Sequence, residues 1–200
     1  MFDSNKTIEY YNTNAKIFSE STVSVDFEAM QNRFLDKLPT DASILDFGCG
    51  AGRDIRVFID HGYEVEAIDG SEKLCKLASE YTGIQVKQML FQDLKEVERY
   101  DGIWACSSIL HIPSKELTDV IRKMSAALKH NGIIYTSFKY GTYEGMRNGR
   151  FFIDMTEDRF ADLLKRVEDV NIEIEEQWIT ADVRPGREEE RWLNLILRKN

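Results

Sequence analysis

At 200 residues and 23.2 kDa, the chain has the size of one domain that can bury a core without disulfides or a structural metal. Its 42% hydrophobic and 30% charged content excludes disordered, collagen-like and coiled-coil chains. Lys+Arg 26 against Asp+Glu 35 gives a net charge of −9, which works against broad binding to nucleic acid or an anionic membrane and leaves room only for a local basic patch.

Residues 7–18 and 23–38 predict two helices, the second from Phe27, Met30, Phe34, Leu35 and Leu38 at helical spacing, with Pro39 ending it. Ile44 to Phe47 predicts the first strand, followed by a glycine cluster and a helix over 51–61 that Gly62 stops. A strand over 64–68 and a helix over 71–81 come next, then strands over 84–89 and 102–106. Ser114, placed after Pro113, predicts the cap of a helix reaching residue 129, and Asn131-Gly132 turns the chain into a strand over 133–138. Residues 140–150 read as a glycine-rich polar loop, 156–167 as a helix, and 171–179 and 190–198 as two closing strands. Strands alternating with helices predict right-handed crossovers and a doubly wound α/β fold, its mostly parallel sheet covered on both faces. The closing pair has no helix between its members and is expected to be antiparallel, with one reversed strand at or near the sheet edge.

Cys49, Cys75 and Cys106 are odd in number and far apart, so they make neither a disulfide framework nor a paired zinc pattern, and no metal site is expected. Residues 1–11 carry no apolar stretch of signal-peptide type, and no segment has the length of a membrane span. The expectation is a cytoplasmic protein, monomer or homodimer.

The stretch ILDFGCGAGRD over 44–54 runs a buried strand into Gly48, Gly50 and Gly52 and straight on to a helix. Glycines there allow a tight turn and a close approach of a ligand to the backbone at the carboxyl end of the strand, where open parallel sheets bind their ligands. The spacing is G-x-G-x-G, not the G-x-G-x-x-G of dinucleotide binders, and no lysine of phosphate-loop type follows. Asp46 and Asp54 flank the glycines. Two carboxylates repel a pyrophosphate and welcome an ammonium or sulfonium, so the loop suits S-adenosylmethionine better than NAD or ATP. The plainer reading makes Asp46 a cap of the loop and Asp54 an acid on the helix dipole.

ILDFGCGAG resembles motif I of the class I S-adenosylmethionine-dependent methyltransferases, and the resemblance extends over residues 40–140. It implies that Asp46, Gly48, Cys49, Gly50 and Gly52 meet the methionine end of the cofactor. By the same likeness Asp69, next to Gly70 in EAIDGS, binds both ribose hydroxyls, and Asp93 in FQDL meets the adenine amino group with the Leu94 backbone beside it. Cys106, in YDGIWACSSILHI over 100–112, would face the methionyl part, and Tyr11, next to Tyr10, lies on a helix that caps the cofactor. The implied architecture is a Rossmann-like, seven-stranded sheet with a C-terminal antiparallel hairpin and N-terminal capping helices. Within one domain over 1–200, the helical cap would take 1–39, the cofactor core 40–139, and a substrate-side loop, helix and hairpin 140–200. Within the family the chain is loosely similar to small-molecule methyltransferases, including the tellurite-resistance type.

Methyl transfer is an in-line displacement that asks mainly for alignment and exclusion of water, with a base only where the nucleophile holds a proton it cannot lose unaided. His111, just past the fourth strand, is the best-placed of three histidines for catalysis or substrate contact, and a packing histidine is its plain alternative. Cys106 follows Ala105, not the proline of cytosine-C5 chemistry, and CSSIL lacks the prolines and aromatic of base-amine methylation. Arg147, Arg150 and Arg184 cluster late in the chain with Arg187 and Arg191, where guanidinium groups would suit an anionic substrate. Tyr140, Tyr143, Phe151 and Trp192 would give apolar walls. The alternative is solvated arginines paired with Glu144, Glu188, Glu189 and Glu190. The expected function is methyl transfer to a small, anionic molecule. Two other readings stay open, a nicotinamide-dependent oxidoreductase and a non-catalytic S-adenosylmethionine-binding protein.

Overall fold

Ile44, Leu45, Asp46 and Phe47 are all buried, the mark of a strand covered on both faces, and the sheet is built outward from them. The computed structural model describes residues 4–200, with side chains from residue 6 onward; the first residues of the polar stretch 1–11 lie outside it. Strands β1 (Ser43–Phe47), β2 (Glu64–Asp69), β3 (Lys87–Gln88), β4 (Tyr100–Ala105) and β5 (Leu128–Lys139) run parallel, and β8 (Ile172–Ala181) and β9 (Arg191–Lys199) close the sheet as an antiparallel pair. The seven strands stand in the order β3-β2-β1-β4-β5-β9-β8, with β8 at the edge. The chain reverses its winding direction between β1 and β4, and a crevice opens at the carboxyl ends of those two strands.

Period-two alternation sends neighbouring residues to opposite layers. Ile103 and Ile134 pack with Leu117, Val120, Ile121 and Met124 of α5 (Ser114–Ala127) and with Phe160 of α6 (Glu157–Leu164). The next residue on each strand, Trp104 and Tyr135, turns to the other face, where Phe34 of α2 (Glu28–Leu35) and Phe58 of α3 (Arg53–Asp60) cover them. Trp104 and Tyr135 stack with centroids 4.0 Å apart. Helix α4 (Glu72–Thr82) starts at Ser71, whose hydroxyl accepts from Leu74 N at 3.2 Å, and stops at Gly83 with φ +82°.

Several expectations are corrected. Strand β5 begins at Leu128, so the helix stops at Ala127 and Asn131-Gly132 lies within the strand. The third strand shrinks from 84–89 to Lys87–Gln88, because the Val86 N–H turns to Ser79 Oγ at 3.0 Å and so leaves the ladder. Residues 140–150 are not a loop throughout: β6 (Glu144–Arg147) and β7 (Arg150–Ile153) form a hairpin around Asn148 and Gly149, at φ +50° and +78°. Asn-Gly is the pair that such a two-residue turn selects. The second helix is shorter than 23–38, spanning only Glu28–Leu35, while the first is longer, with α1 running Ser4–Thr22.

Helix α1 is pinned across the crevice at both sides. Asn12 Oδ1 accepts from Ser71 Oγ at 2.7 Å and from Lys73 N at 3.3 Å, at the start of α4. Thr7 Oγ1 accepts from Phe151 N of β7 at 3.0 Å. The amino-terminal helix thus spans two elements that the chain reaches much later.

Candidate functional site

A cavity of about 460 Å³ lies under α1, at the carboxyl ends of β1, β4 and β5. Its floor is the glycine loop. Gly48 sits at φ +92°, and a Cβ there would stand 2.5 Å from Ser108 Cβ, so the loop and the turn after β4 touch through a missing side chain. Gly50 sits at φ +56° with the Phe18 ring of α1 3.2 Å from where its Cβ would be.

Gly48, Cys49, Gly50, Asp69 and Gly70 all line the cavity, as do Tyr11 and Cys106. Asp69 closes β2 and accepts from Gly50 N at 2.9 Å and from Ser71 N at 2.8 Å, so it ties the loop to the next strand end. Burial raises its pKa to about 6, against the lowering effect of the Ser71, Gly50 and Gly70 N–H groups. Asp46 lies behind the loop instead of in its wall, 2% exposed, and its Oδ2 has no hydrogen-bond partner. Burial, and then the Asp54 charge, raise its pKa well above the usual carboxylate range. Gly52 sits outside the wall and packs against Thr82 and Ala78 of α4.

Asp54 does not stand free for a ligand cation. Its carboxylate accepts from Gln31 Nε2 at 2.6 Å, Arg53 Nε at 2.8 Å and Trp104 Nε1 at 2.8 Å. Burial works against the charge, but Arg53 and these donors outweigh it and lower the pKa. The reason is tertiary: α2 and β4 bring two neutral donors to the acid, and Arg53 supplies the counter-charge. Arg53 itself, over the Phe27 ring at 4.5 Å, lines the cavity with no signal in the sequence to mark it, as do Lys139 and Phe152.

On the far side, Asp93 belongs to a short 3-10 turn, Phe91–Asp93, with its side chain exposed, and the cavity is lined there by Leu90, Phe91 and Gln92. Leu94 is buried, 2% exposed, in the core. Tyr140 and Arg147 also lie outside the cavity wall. Tyr140 donates to Glu157 at 3.0 Å, and Arg147 pairs with Asp154 at 2.7 Å. Tyr143 is exposed, and Phe152 lines the cavity in place of Phe151.

His111, Arg150 and Arg184 do meet the cavity, with Lys139, Arg187 and Trp192. Arg184 is held by Asp182, Nε to Oδ1 at 2.9 Å, and Lys139 by Glu190. Arg150 differs. Its guanidinium lies over Tyr10 at 4.6 Å, Phe152 at 5.0 Å and Tyr11 at 5.6 Å, donates to Tyr11 Oη at 3.2 Å, and faces no carboxylate among the described residues. Its Nε is buried without an acceptor. His111 Nδ1 lies 2.6 Å from Phe151 O and Nε2 lies 2.8 Å from Tyr11 Oη. Burial, with Arg150 adding, lowers its pKa to about 4 against the pull of the Phe151 carbonyl.

The donor set fits S-adenosylmethionine. A carboxylate, Asp69, stands at the strand end where a diol can be bound, and the cation next to the loop, Arg53, is committed to Asp54 and so is withheld from a pyrophosphate. Residues 44–132 match the family described as a methyltransferase domain. An uncharacterised methyltransferase of Staphylococcus carnosus is 27% identical over 143 residues, which cover 68% of this chain and 68% of that protein. A 1,6-didemethyltoxoflavin N1-methyltransferase of Burkholderia thailandensis, solved with S-adenosylhomocysteine, superposes at TM-score 0.74 with 19% identity over 98% of this chain and 87% of its own. A Rhodobacter sphaeroides structure named for the Zn-dependent alcohol dehydrogenases shares the fold at TM-score 0.78 and 10% identity over 100% of each chain. Fold alone therefore does not choose between methyl and hydride chemistry; the domain match and the loop do. No helix among the described residues is long and apolar enough to cross a membrane.

Proposed function

We propose that this chain methylates a small, anionic molecule, and the premise is its family: it is a class I S-adenosylmethionine-dependent methyltransferase. When bound, the sulfonium supplies a methyl group to an acceptor lone pair, and the electron pair of the broken bond stays on sulfur. The chain's own residues bind, orient and exclude water. Asp69 takes the ribose hydroxyls, the Gly48–Gly52 loop with Asp46 behind it takes the methionine end, and the Phe91–Asp93 turn meets the adenine. Cys106 borders the methionyl part, and α1 covers the whole.

Arg150 carries the anionic half of the reading. It is the cavity cation with no carboxylate among the described residues, and its buried Nε–H lacks an acceptor. A buried donor without a partner costs about 1–3 kcal/mol, which an incoming carboxylate, phenolate or thiolate relieves. The small size follows from a cavity of about 460 Å³ that has to hold the cofactor as well.

Calorimetric titration with S-adenosylhomocysteine, with NAD in parallel, tests the cofactor. The thioether binds, and Asp69→Ala weakens it at least tenfold; binding of NAD alone overturns the reading. Matched carboxylates and their neutral methyl esters, offered with S-adenosylmethionine, then test the acceptor. Arg150→Gln raises KM for the acids and not for the esters; equal use of both by the wild type removes the anionic half.

A further inference from the structure

We propose that His111 takes no proton from the acceptor and serves as a fixed hydrogen-bond acceptor that orients the Tyr11 hydroxyl, and that Tyr11 with Arg150 is the pair the acceptor meets. The substrate half of this proposal rests on the methyl-transfer reading above. The direction of the hydrogen bonds does not.

The direction follows from Phe151. A carbonyl oxygen only accepts, so at 2.6 Å His111 Nδ1 must carry the proton. Nε2 of the neutral ring then offers a lone pair, and Tyr11 Oη, 2.8 Å away, donates to it. With its proton spent, the Tyr11 oxygen accepts from Arg150 Nη1 at 3.2 Å. The donors run one way, from Arg150 to Tyr11 to His111 to the Phe151 carbonyl, and the last member cannot pass a proton on. The ring has little freedom to turn out of this arrangement. Tyr11 stands against it at 5.5 Å and Phe152 at 4.8 Å, both edge to face.

A proton arriving at Nε2 would break the bond from Tyr11 and place an imidazolium near Arg150. From α1 the ring meets Tyr11, with Tyr10 beside it, and from β7 Arg150; no carboxylate among the described residues pairs with either His111 or Arg150. Burial already disfavours that cation. The other cavity groups are equally unsuited as bases. Asp54 and Asp182 are tied to Arg53 and Arg184, and Asp69 to the backbone N–H groups of Gly50 and Ser71. The acceptor class follows: one that ionises in water, such as a carboxylic acid, an acidic phenol or enol, or a thiol, or one that presents a nitrogen lone pair bearing no proton to be removed.

Nitrogen NMR of the full chain labelled at histidine, followed from about pH 5 to 9, reads the proton directly. His111 is expected as the neutral tautomer protonated at Nδ1 throughout, and Tyr11→Phe shifts the Nε2 signal while Nδ1 stays protonated. A His111 midpoint near pH 6 to 7.5, or a proton on Nε2, overturns the proposal. The wild type alone carries this test if Tyr11→Phe does not fold. The positioning role is read with any acceptor from the screen above: His111→Asn, whose amide oxygen can still accept from Tyr11, keeps kcat within about tenfold and leaves the pH profile unchanged. A loss of about a thousandfold together with a changed profile restores a base and overturns the proposal. S-adenosylhomocysteine titration of the same samples keeps the two readings apart, since absent binding sinks the methyl-transfer premise and leaves the tautomer result standing.

Discussion

Trp104 Nε1 donates to Asp54 Oδ2 at 2.8 Å across fifty residues of sequence, deep beneath the glycine loop. The bond joins β4 to the first turn of α3, and Gln31 of α2 adds a third element at 2.6 Å. Asp54 is therefore the knot that fixes the loop's exit. Asp54→Ala would leave the Arg53 charge, an indole N–H and an amide N–H unpaired in the interior. We expect a loss of about 3–5 kcal/mol in urea unfolding, and about 1–3 kcal/mol for Trp104→Phe, which removes one of the two donors to Asp54 Oδ2 and leaves it Arg53 Nη2. Near-neutral values for both would return Asp54 to the ligand.

Gly48 and Gly62 share a left-handed backbone, φ +92° and +88°, and differ in their surroundings. A Cβ on Gly48 meets Ser108 Cβ at 2.5 Å and the Phe91 ring at 2.9 Å, whereas one on Gly62 meets nothing within 4 Å. Gly62→Ala should cost only the backbone term of about 1–2 kcal/mol. Gly48→Ala should cost more and should also weaken S-adenosylhomocysteine binding, because the loop must shift away from Ser108. Equal unfolding midpoints for the two variants would refute the close approach.

Most of the sheet was legible because its signals are local. Buried β-branched runs, the Gly48-Gly50-Gly52 cluster and the helix-free closing pair each declare themselves within a dozen residues. Asp69 and His111 stand at expected strand ends, Tyr11 on the expected cap and Arg150 in the expected loop over 140–150, and those positions open onto one cavity. What stayed hidden depends on partners that sequence distance conceals. Ser79 Oγ takes the Val86 N–H and cuts the third strand short, a competition between a side chain and a ladder that no hydropathy pattern shows. The β6–β7 hairpin has strands of only four residues, one interrupted by Gly145, so the Asn148-Gly149 turn was present with little alternation around it. Arg147 and Arg184 are expected to meet an anionic substrate or, in the alternative, glutamates, but Asp154 and Asp182 hold them. The carbonyl that fixes His111 belongs to the Phe151 backbone and leaves no trace in residue identity.

Helix α1 hangs on few polar contacts: Asn12 to the start of α4, Thr7 to β7, and Tyr11 to His111 and Arg150. Asn12→Ala should cost about 1 kcal/mol for the bonds lost. Amide exchange in α1 should quicken while the exchange of β1 and β4 is unchanged, because the sheet does not depend on the cap. Exchange that quickens equally in all three would mean that α1 is part of the same cooperative unit.

His111 also makes stability depend on pH. Its pKa in the folded chain, about 4, lies below the ordinary 6.5. As pH falls below about 6.5 the unfolded chain takes up a proton at this residue and the folded chain does not, until about pH 4. The stabilising contribution is thus complete above 6.5 and lost as pH falls through 4, up to about 3 kcal/mol for the full shift. His111→Gln lacks the titration. Urea unfolding at pH 7.5 and pH 4.5 should show the wild type losing stability relative to this variant at the lower pH. The same difference at both values would mean that the imidazole titrates alike in the folded and unfolded chains, and the half-buried, neutral ring would have to be given up.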